Sequence, residues 1–364
     1  MPGPDRRRFL QGFAALSLSP VPGWSAVGAP DFLAAALFPD NSFRLAGITA
    51  TGEITFTLPL PARGHAAAAH PSQAVAIAFA RRPGTFAVVV DCASGQEIKR
   101  LTAPTDHHFY GHGQFSADGM LLFTTENHYE AGEGVIGVWD AANGYKRLGG
   151  FHSGGVGPHD MVLLPDGETL AIANGGIETH PDTGRTKLNL PTMAPNLTYC
   201  SLGGSLLEQI ELPGGLRKNS IRHLATRSDG LVAFAMQWQG DTGQHPPLLG
   251  LHQRGENPRL LSAPSLTLAK MLGYAGSVAF SPDGSLVAIT SPRGSTLHRY
   301  DTRTGNFVDE FSLPDVCGLG NGPSSMVFTT GTGQIGRILP SGTRAVSHHQ
   351  CQWDNHLVSV GFHN

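Results

Sequence analysis

The fold expected from this sequence is all-β, a seven-bladed propeller closed by pairing of the C-terminal strand with the N-terminal blade. Units of three or four short apolar runs recur every ~40 to 60 residues, the period of an architecture whose units cannot hide both faces alone and must stack on their neighbours. A turn signal ending in Asp-Gly follows the first run of several units: Asp118-Gly119, Asp166-Gly167, Asp229-Gly230 and Asp283-Gly284. Gly (47) and Pro (26) together supply about a fifth of the chain while charged residues supply 15%, a balance that suits many strands joined by tight turns and argues against a helical or a disordered chain.

The units follow in order. Residues 43–48 and 53–58 alternate apolar and polar positions around Thr51-Gly52 and read as a hairpin. Arg63-Gly64-His65 leads into strands at 74–79 and 85–91, a turn at Ser94-Gly95 and a short strand near Ile98. The third unit runs from Tyr110 to Asp140 and closes at Asn143-Gly144. The fourth starts at Gly157-Pro158-His159-Asp160 and carries a long insert, 174–197, before its outer strands. The fifth begins at Ile221-Arg222-His223-Leu224, the sixth at Gly276, and a weaker seventh covers about 317–339. The run 357–360 has no unit of its own and is expected to complete the first blade, removing two exposed sheet edges. A two-sheet sandwich does not explain repetition over this length.

The N-terminus reads as an address. Asp5-Arg6-Arg7-Arg8-Phe9-Leu10-Gln11 ahead of the mildly apolar 12–21 has the pattern of a twin-arginine export signal, with cleavage expected near residues 26–29. The expected organisation is therefore a signal peptide over 1–29, one propeller domain over 30–364, and a periplasmic protein exported already folded. The formal charge of −3 and the lack of a later basic run exclude nucleic acid as an expected partner, and the mature chain has no apolar stretch of transmembrane length. Cys92, Cys200, Cys317 and Cys351 are widely spaced, leaving both one or two disulfides and simple burial open.

Aligning the units gives the histidines a pattern. His112 lies seven residues before Gly119, His159 eight before Gly167 and His223 seven before Gly230, so each heads the inner strand of its blade. His65 and His356 occupy the same place in theirs, and Gly276 and Gly318 do so in the other two. Inner strands line a propeller's central channel, so His65, His112, His159, His223 and His356 are expected to converge, with His108 a further candidate. Imidazole suits Cu, Fe and Zn, which makes a transition metal, Cu or Fe, the expected cofactor. Hydrogen bonding between neighbouring blades is the competing role for these rings. Polar, Gly-rich loops after the second strands are expected to wall a pocket at the same mouth, with Glu126, His128, Glu178, His180, Asp182, Arg185, Gln237 and Arg293 as candidate ligand-binding residues. No G-x-S-x-G elbow, dinucleotide-binding fingerprint or C-x-x-C-H attachment motif occurs, so neither a nucleotide nor a c-type haem is expected.

FYGHGQFS, TENHYEAGEGVIGVWD, GVGPHD, ANGGIETHPDTGR, LNLPTMAPNL, SIRHLA, GYAGSVA, SPRG and the terminal WDNHL together resemble the exported propeller family named domain of unknown function 1513, over about residues 31–364. The resemblance implies a setting beside imelysin-like and di-haem peroxidase-like proteins of periplasmic iron uptake, which are the expected partners. His128 stands where the family pattern has an acidic residue after Glu-Asn, a change that shifts metal preference toward softer ions if that position ligates. Three functions stay open on the sequence: a metal-handling propeller accessory to iron uptake, a metal-dependent enzyme (a lactonase-like hydrolase or a small oxidoreductase), and a non-catalytic docking scaffold. The preponderance of histidine over carboxylates at the channel favours the first and leans away from an enzyme.

Overall fold

The computed structural model describes residues 22–81, 85–184 and 186–361. It is a closed ring of seven antiparallel sheets. Blade one contains Phe32–Leu37, Phe43–Ile48 and Ile54–Pro59, and its inner position is filled from the other end of the chain by Gln352–Trp353 and Val358–Ser359, both paired with Phe32–Leu37. Blades two to seven each run from inner to outer edge in chain order, with inner strands Gly64–Ala69, His107–Phe115, Pro158–Leu163, Asn219–Thr226, Ser277–Phe280 and Val316–Asn321. The expected closure is present, with two differences. The closing element is two short strands around the turn 354–357, and the run FLAAAL, absent from the expected blade one, is its second strand. FLAAAL is uniformly apolar because both of its faces are covered, so it lacks the alternation that marks a half-exposed strand. The seventh unit extends further than expected, to an outer strand at Gly342–His348.

The alternation of side chains across each strand explains how the ring holds together. In Val75–Ala80, Val75, Ile77 and Phe79 pack toward blade three, whereas Ala76 and Ala78 pack toward blade one. Seven buried apolar clusters result among the described residues, one between each pair of neighbouring blades, and the cluster joining blades seven and one includes Phe32, Ile48, Val327, Ile335 and Trp353. Deleting residues 352–364 should therefore expose the edge of Phe32–Leu37 and strip this last interface. Size-exclusion chromatography should find the truncated protein aggregated; a monodisperse, cooperatively folding product would mean that closure contributes little.

The Asp-Gly turns are built alike. Asp118 Oδ1 accepts from Ser116 Oγ and Met120 N, and Asp283 Oδ1 accepts from Ser281 Oγ and Ser285 N. The following glycines take φ of +73° and +67°, where a Cβ would be strained. The four cysteines are free and buried, which resolves the open question in favour of burial; desolvation raises the thiols of Cys92, Cys317 and Cys351 to about 12. Trp24–Val27, inside the expected signal segment, forms a 3-10 turn whose Trp24 Nε1 donates to His70 O, and Trp24 and Val27 pack against blades one and two. The twin-arginine pattern itself lies outside the described residues. Among the described residues no helix is long and apolar enough to cross a membrane.

Candidate metal centre

The five histidines meet at one end of the central channel. Ring centroids are 4.4 Å apart for His65 and His356, 4.6 Å for His112 and His356, 4.9 Å for His159 and His223, 5.0 Å for His65 and His112 and for His223 and His356, and 5.1 Å for His112 and His159. Two triads have donor atoms within 4.8 Å of one another: His65, His112 and His356, and His112, His159 and His223. His112 belongs to both.

Local backbone irregularity brings them there. The pairing register of these inner strands breaks at or beside the histidine: between Gly64 and Ala67 around His65, Phe109 and Gly113 around His112, Pro158 and Asp160 around His159, and Ile221 and His223, where Arg222 is the residue left out and His223 still pairs with Ala235. His356 stands in the turn between the two closing strands. A bulge inserts a residue that the ladder does not use and re-aims its side chain. At Gly111, with φ +105°, a Cβ would lie 2.7 Å from Cδ2 of His65, so the glycine makes room for the neighbouring ring. At Gly318 a Cβ would lie 2.5 Å from Thr329 Oγ1 and 3.3 Å from Leu357 of the closing turn.

The hydrogen bonds of the cluster are incomplete. His65 Nδ1, His112 Nε2, His223 Nδ1 and His356 Nε2 are buried without a hydrogen-bond partner. An orphaned polar atom in the interior costs ~1–3 kcal/mol, and four of them facing one another on four blades form a set of lone-pair donors. Asp160 prepares one of them. Its Oδ1 lies 3.0 Å from His112 Nδ1 and its other oxygen accepts from Leu224 N of blade five, so the proton of His112 stays on Nδ1 and the Nε2 lone pair stays available. Asp354 anchors the closing turn by accepting from Arg63 Nε at 2.8 Å and from Arg81 Nη1 at 2.9 Å, which fixes His356 two residues on. Burial pushes Asp354 upward, and Arg81 and Arg63 outweigh it to hold the carboxyl below its ordinary value.

Burial also keeps four of the rings neutral. Desolvation, together with neighbouring imidazoles and the guanidinium groups of Arg81 or Arg222, holds His65, His159 and His223 well below 6.5, and desolvation with His112 brings His356 to about 3. Neutral imidazole is the form that binds metal. A cavity of about 300 Å³ runs along the channel to His112, His223, His356 and Asp160, past the small side chains of Ala66, Ala67 and Ala279. It extends from the cluster to the far ends of the inner strands, at Leu163, Thr226 and Phe280.

Other expected site residues go elsewhere. His108 does not join the ring of five: it hydrogen-bonds Asn127 through Nε2 and stacks on Tyr129, because the bulge after Phe109 turns the strand between it and His112. Glu126 is not a rim residue. The second strand of blade three continues to His128, so Glu126 is wholly buried, accepting from both Nη atoms of Arg147 at 2.7 and 2.9 Å and from Thr124 Oγ1. His128 stacks on His107 at 4.4 Å. The remaining rim residues form two groups rather than one wall. His180 pairs with Glu130 and packs on Tyr129, beside half-buried Glu178 and exposed Asp182. On the other side, Gln237 donates to Ala275 O and Arg293 lies over Tyr274. Arg185 lies outside the described residues. Asp160, Arg222, Arg81 and Asp354 were missed as site residues; the adjacency of His159-Asp160 and of Arg222-His223 was the available signal.

The family described as "Protein of unknown function (DUF1513)" matches residues 58–360. Among solved structures, hydrazine synthase of Kuenenia stuttgartiensis superposes with a TM-score of 0.58 at 15% identity, covering 85% of this chain and 89% of that one; at this identity the likeness concerns the fold alone. No curated protein matches.

Proposed function

This chain belongs to the DUF1513 family, and for this member we propose a metal-handling propeller that binds copper or iron at the histidine-lined end of its channel. The observation that carries this reading is the set of four buried imidazole nitrogens without partners on four different blades, one of them prepared by a carboxylate at the far side of its ring. All-nitrogen donors suit a transition metal better than a hard ion such as Ca²⁺ or Mg²⁺. The twin-arginine pattern and the family resemblance support a periplasmic setting and a role accessory to iron uptake, with imelysin-like and di-haem peroxidase-like proteins as partners. The channel that reaches the cluster supports exchange of an ion or small ligand with solvent.

Elemental analysis of the purified protein after loading with Cu(II) or Fe(II) tests the reading. The wild type should retain metal through desalting, and His112→Ala and His356→Ala should each lose it. Asp160→Asn should weaken affinity about 10- to 100-fold, the usual effect of removing a carboxylate behind a ligand histidine. Loaded metal should also raise thermal stability in proportion to ln[metal], by ~2.7 kcal/mol at one hundred times Kd. Wild-type protein that retains neither ion would overturn the proposal.

A further inference from the structure

Two overlapping triads do not make two metal sites. Both contain His112. Its Nδ1 faces Asp160 Oδ1 at 3.0 Å and carries the ring proton, so His112 offers one lone pair, at Nε2, and that lone pair serves one ion. The triads are therefore alternatives. His65, His112 and His356 are the better set. Each has a buried nitrogen with no hydrogen-bond partner, Nδ1 in His65 and Nε2 in the other two, and their ring centroids lie 4.4, 4.6 and 5.0 Å apart. In the other triad the rings of His112 and His223 stand 6.1 Å apart. His159 has no unpartnered buried nitrogen, and its Nδ1 lies 3.2 Å from Arg222 Nη1, an atom that only donates.

The better triad spans the place where the ring closes. His65 belongs to Gly64–Ala69 of blade two, His112 to His107–Phe115 of blade three, and His356 to the turn between the two closing strands of blade one. Those strands, Gln352–Trp353 and Val358–Ser359, are two residues each and pair with Phe32–Leu37 only at Leu37, Ala36, Leu33 and Phe32. A segment with so short a ladder opens at lower free energy than the longer strands of the ring. An ion shared by the three histidines ties this segment to two further blades, and its site is complete only while the segment is seated.

We infer that the centre holds one transition-metal ion on His65, His112 and His356, and that this ion is a clasp: its binding and the seating of residues 352–360 in blade one promote each other. The inference rests on the metal reading above. A ligand that binds only the closed form stabilises that form according to its concentration over Kd, and the coupling is reciprocal.

Hydrogen–deuterium exchange read by mass spectrometry on wild-type protein, metal-free and loaded with Cu(II), tests the clasp, with Fe(II) under nitrogen run in parallel. With free metal at one hundred times Kd, amides of residues 352–360 that exchange through local opening should slow about a hundredfold, while those of Ser277–Phe280 in blade six change far less. The stoichiometry should be one ion per chain. His65→Ala and His356→Ala should lose both the ion and the protection, and His159→Ala should keep both. The wild-type exchange and stoichiometry decide the matter even where a variant fails to fold. Two ions per chain, slowing of residues 352–360 by less than about tenfold, or equal slowing of both segments would overturn the inference and leave the metal centre standing. Loss of the ion from a folded His159→Ala would do the same. Wild-type protein that retains neither ion would end both readings.

Discussion

Glu126→Ala should cost ~3–5 kcal/mol of stability and leave metal binding untouched. Glu126 sits inside blade three with no exposed surface, and its carboxylate takes both arms of the Arg147 fork. Arg147 in turn lies over the Trp139 ring, whose Nε1 donates to Thr124 Oγ1, and Thr124 donates back to Glu126. Removing one partner of a buried pair leaves the other charge uncompensated, and that penalty exceeds what the intact pair contributes. Arg147 keeps 22% of its side chain exposed, so some of the charge can rehydrate and the lower end of the range applies. A shift in the urea midpoint with unchanged copper stoichiometry is the expected pair of results. If Glu126→Ala lost the metal at unchanged stability, its assignment to the rim would have been right and the buried-pair account mistaken. The double variant Glu126→Leu with Arg147→Met should recover much of the loss, because an apolar pair of similar volume leaves no charge behind.

Acidification of the metal-free protein should have the largest effect of all. The folded state holds His65, His159, His223 and His356 below the ordinary imidazole value, whereas the unfolded chain titrates near 6.5. Below pH 6.5 the unfolded state therefore binds more protons than the folded state, and stability falls with pH. The contribution is fully present above 6.5 and is lost as pH drops from there toward about 3, the value for His356. Each such ring costs up to ~1.4 kcal/mol per pH unit, so four together amount to ~5 kcal/mol per unit, comparable with the whole stability of a typical domain after one or two units. His298, buried in blade six and lowered to about 4, adds to the same trend. Urea midpoints should be level above pH 7 and fall steeply between 6.5 and 5. Midpoints that stay constant down to pH 4.5 would show that the rings are charged or solvated in the folded state. Metal should move the descent to lower pH, since a bound ion competes with protons for the same nitrogens.

Much of this molecule was legible in the chain because it repeats. The Asp-Gly turns depend on short-range chemistry, an aspartate bonding to nearby backbone and a glycine at positive φ, so they read directly and set the blade count. The alignment they provided placed five histidines at one position, and the structure brings all five together. His108 and Glu126 failed for local reasons that spacing does not carry. A bulge turns the strand between His108 and His112, and the strand carrying Glu126 runs on three residues beyond Thr125, where the polar sequence had suggested a loop. FLAAAL was missed because a strand covered on both faces has no period to detect.

By itself the sequence determined the ring, the closure by its two ends and the histidine set, all of which follow from periodicity and from residue types that act locally. Only the tertiary structure decided what each ring can do. Whether an imidazole nitrogen is a lone-pair donor or an N–H depends on its hydrogen-bond partner, and those partners come from other blades: Arg222 in blade five for His159 in blade four, and Asp160 in blade four for His112 in blade three. A partner in a neighbouring sheet leaves no period in the chain, since the contact is set by the stacking of blades.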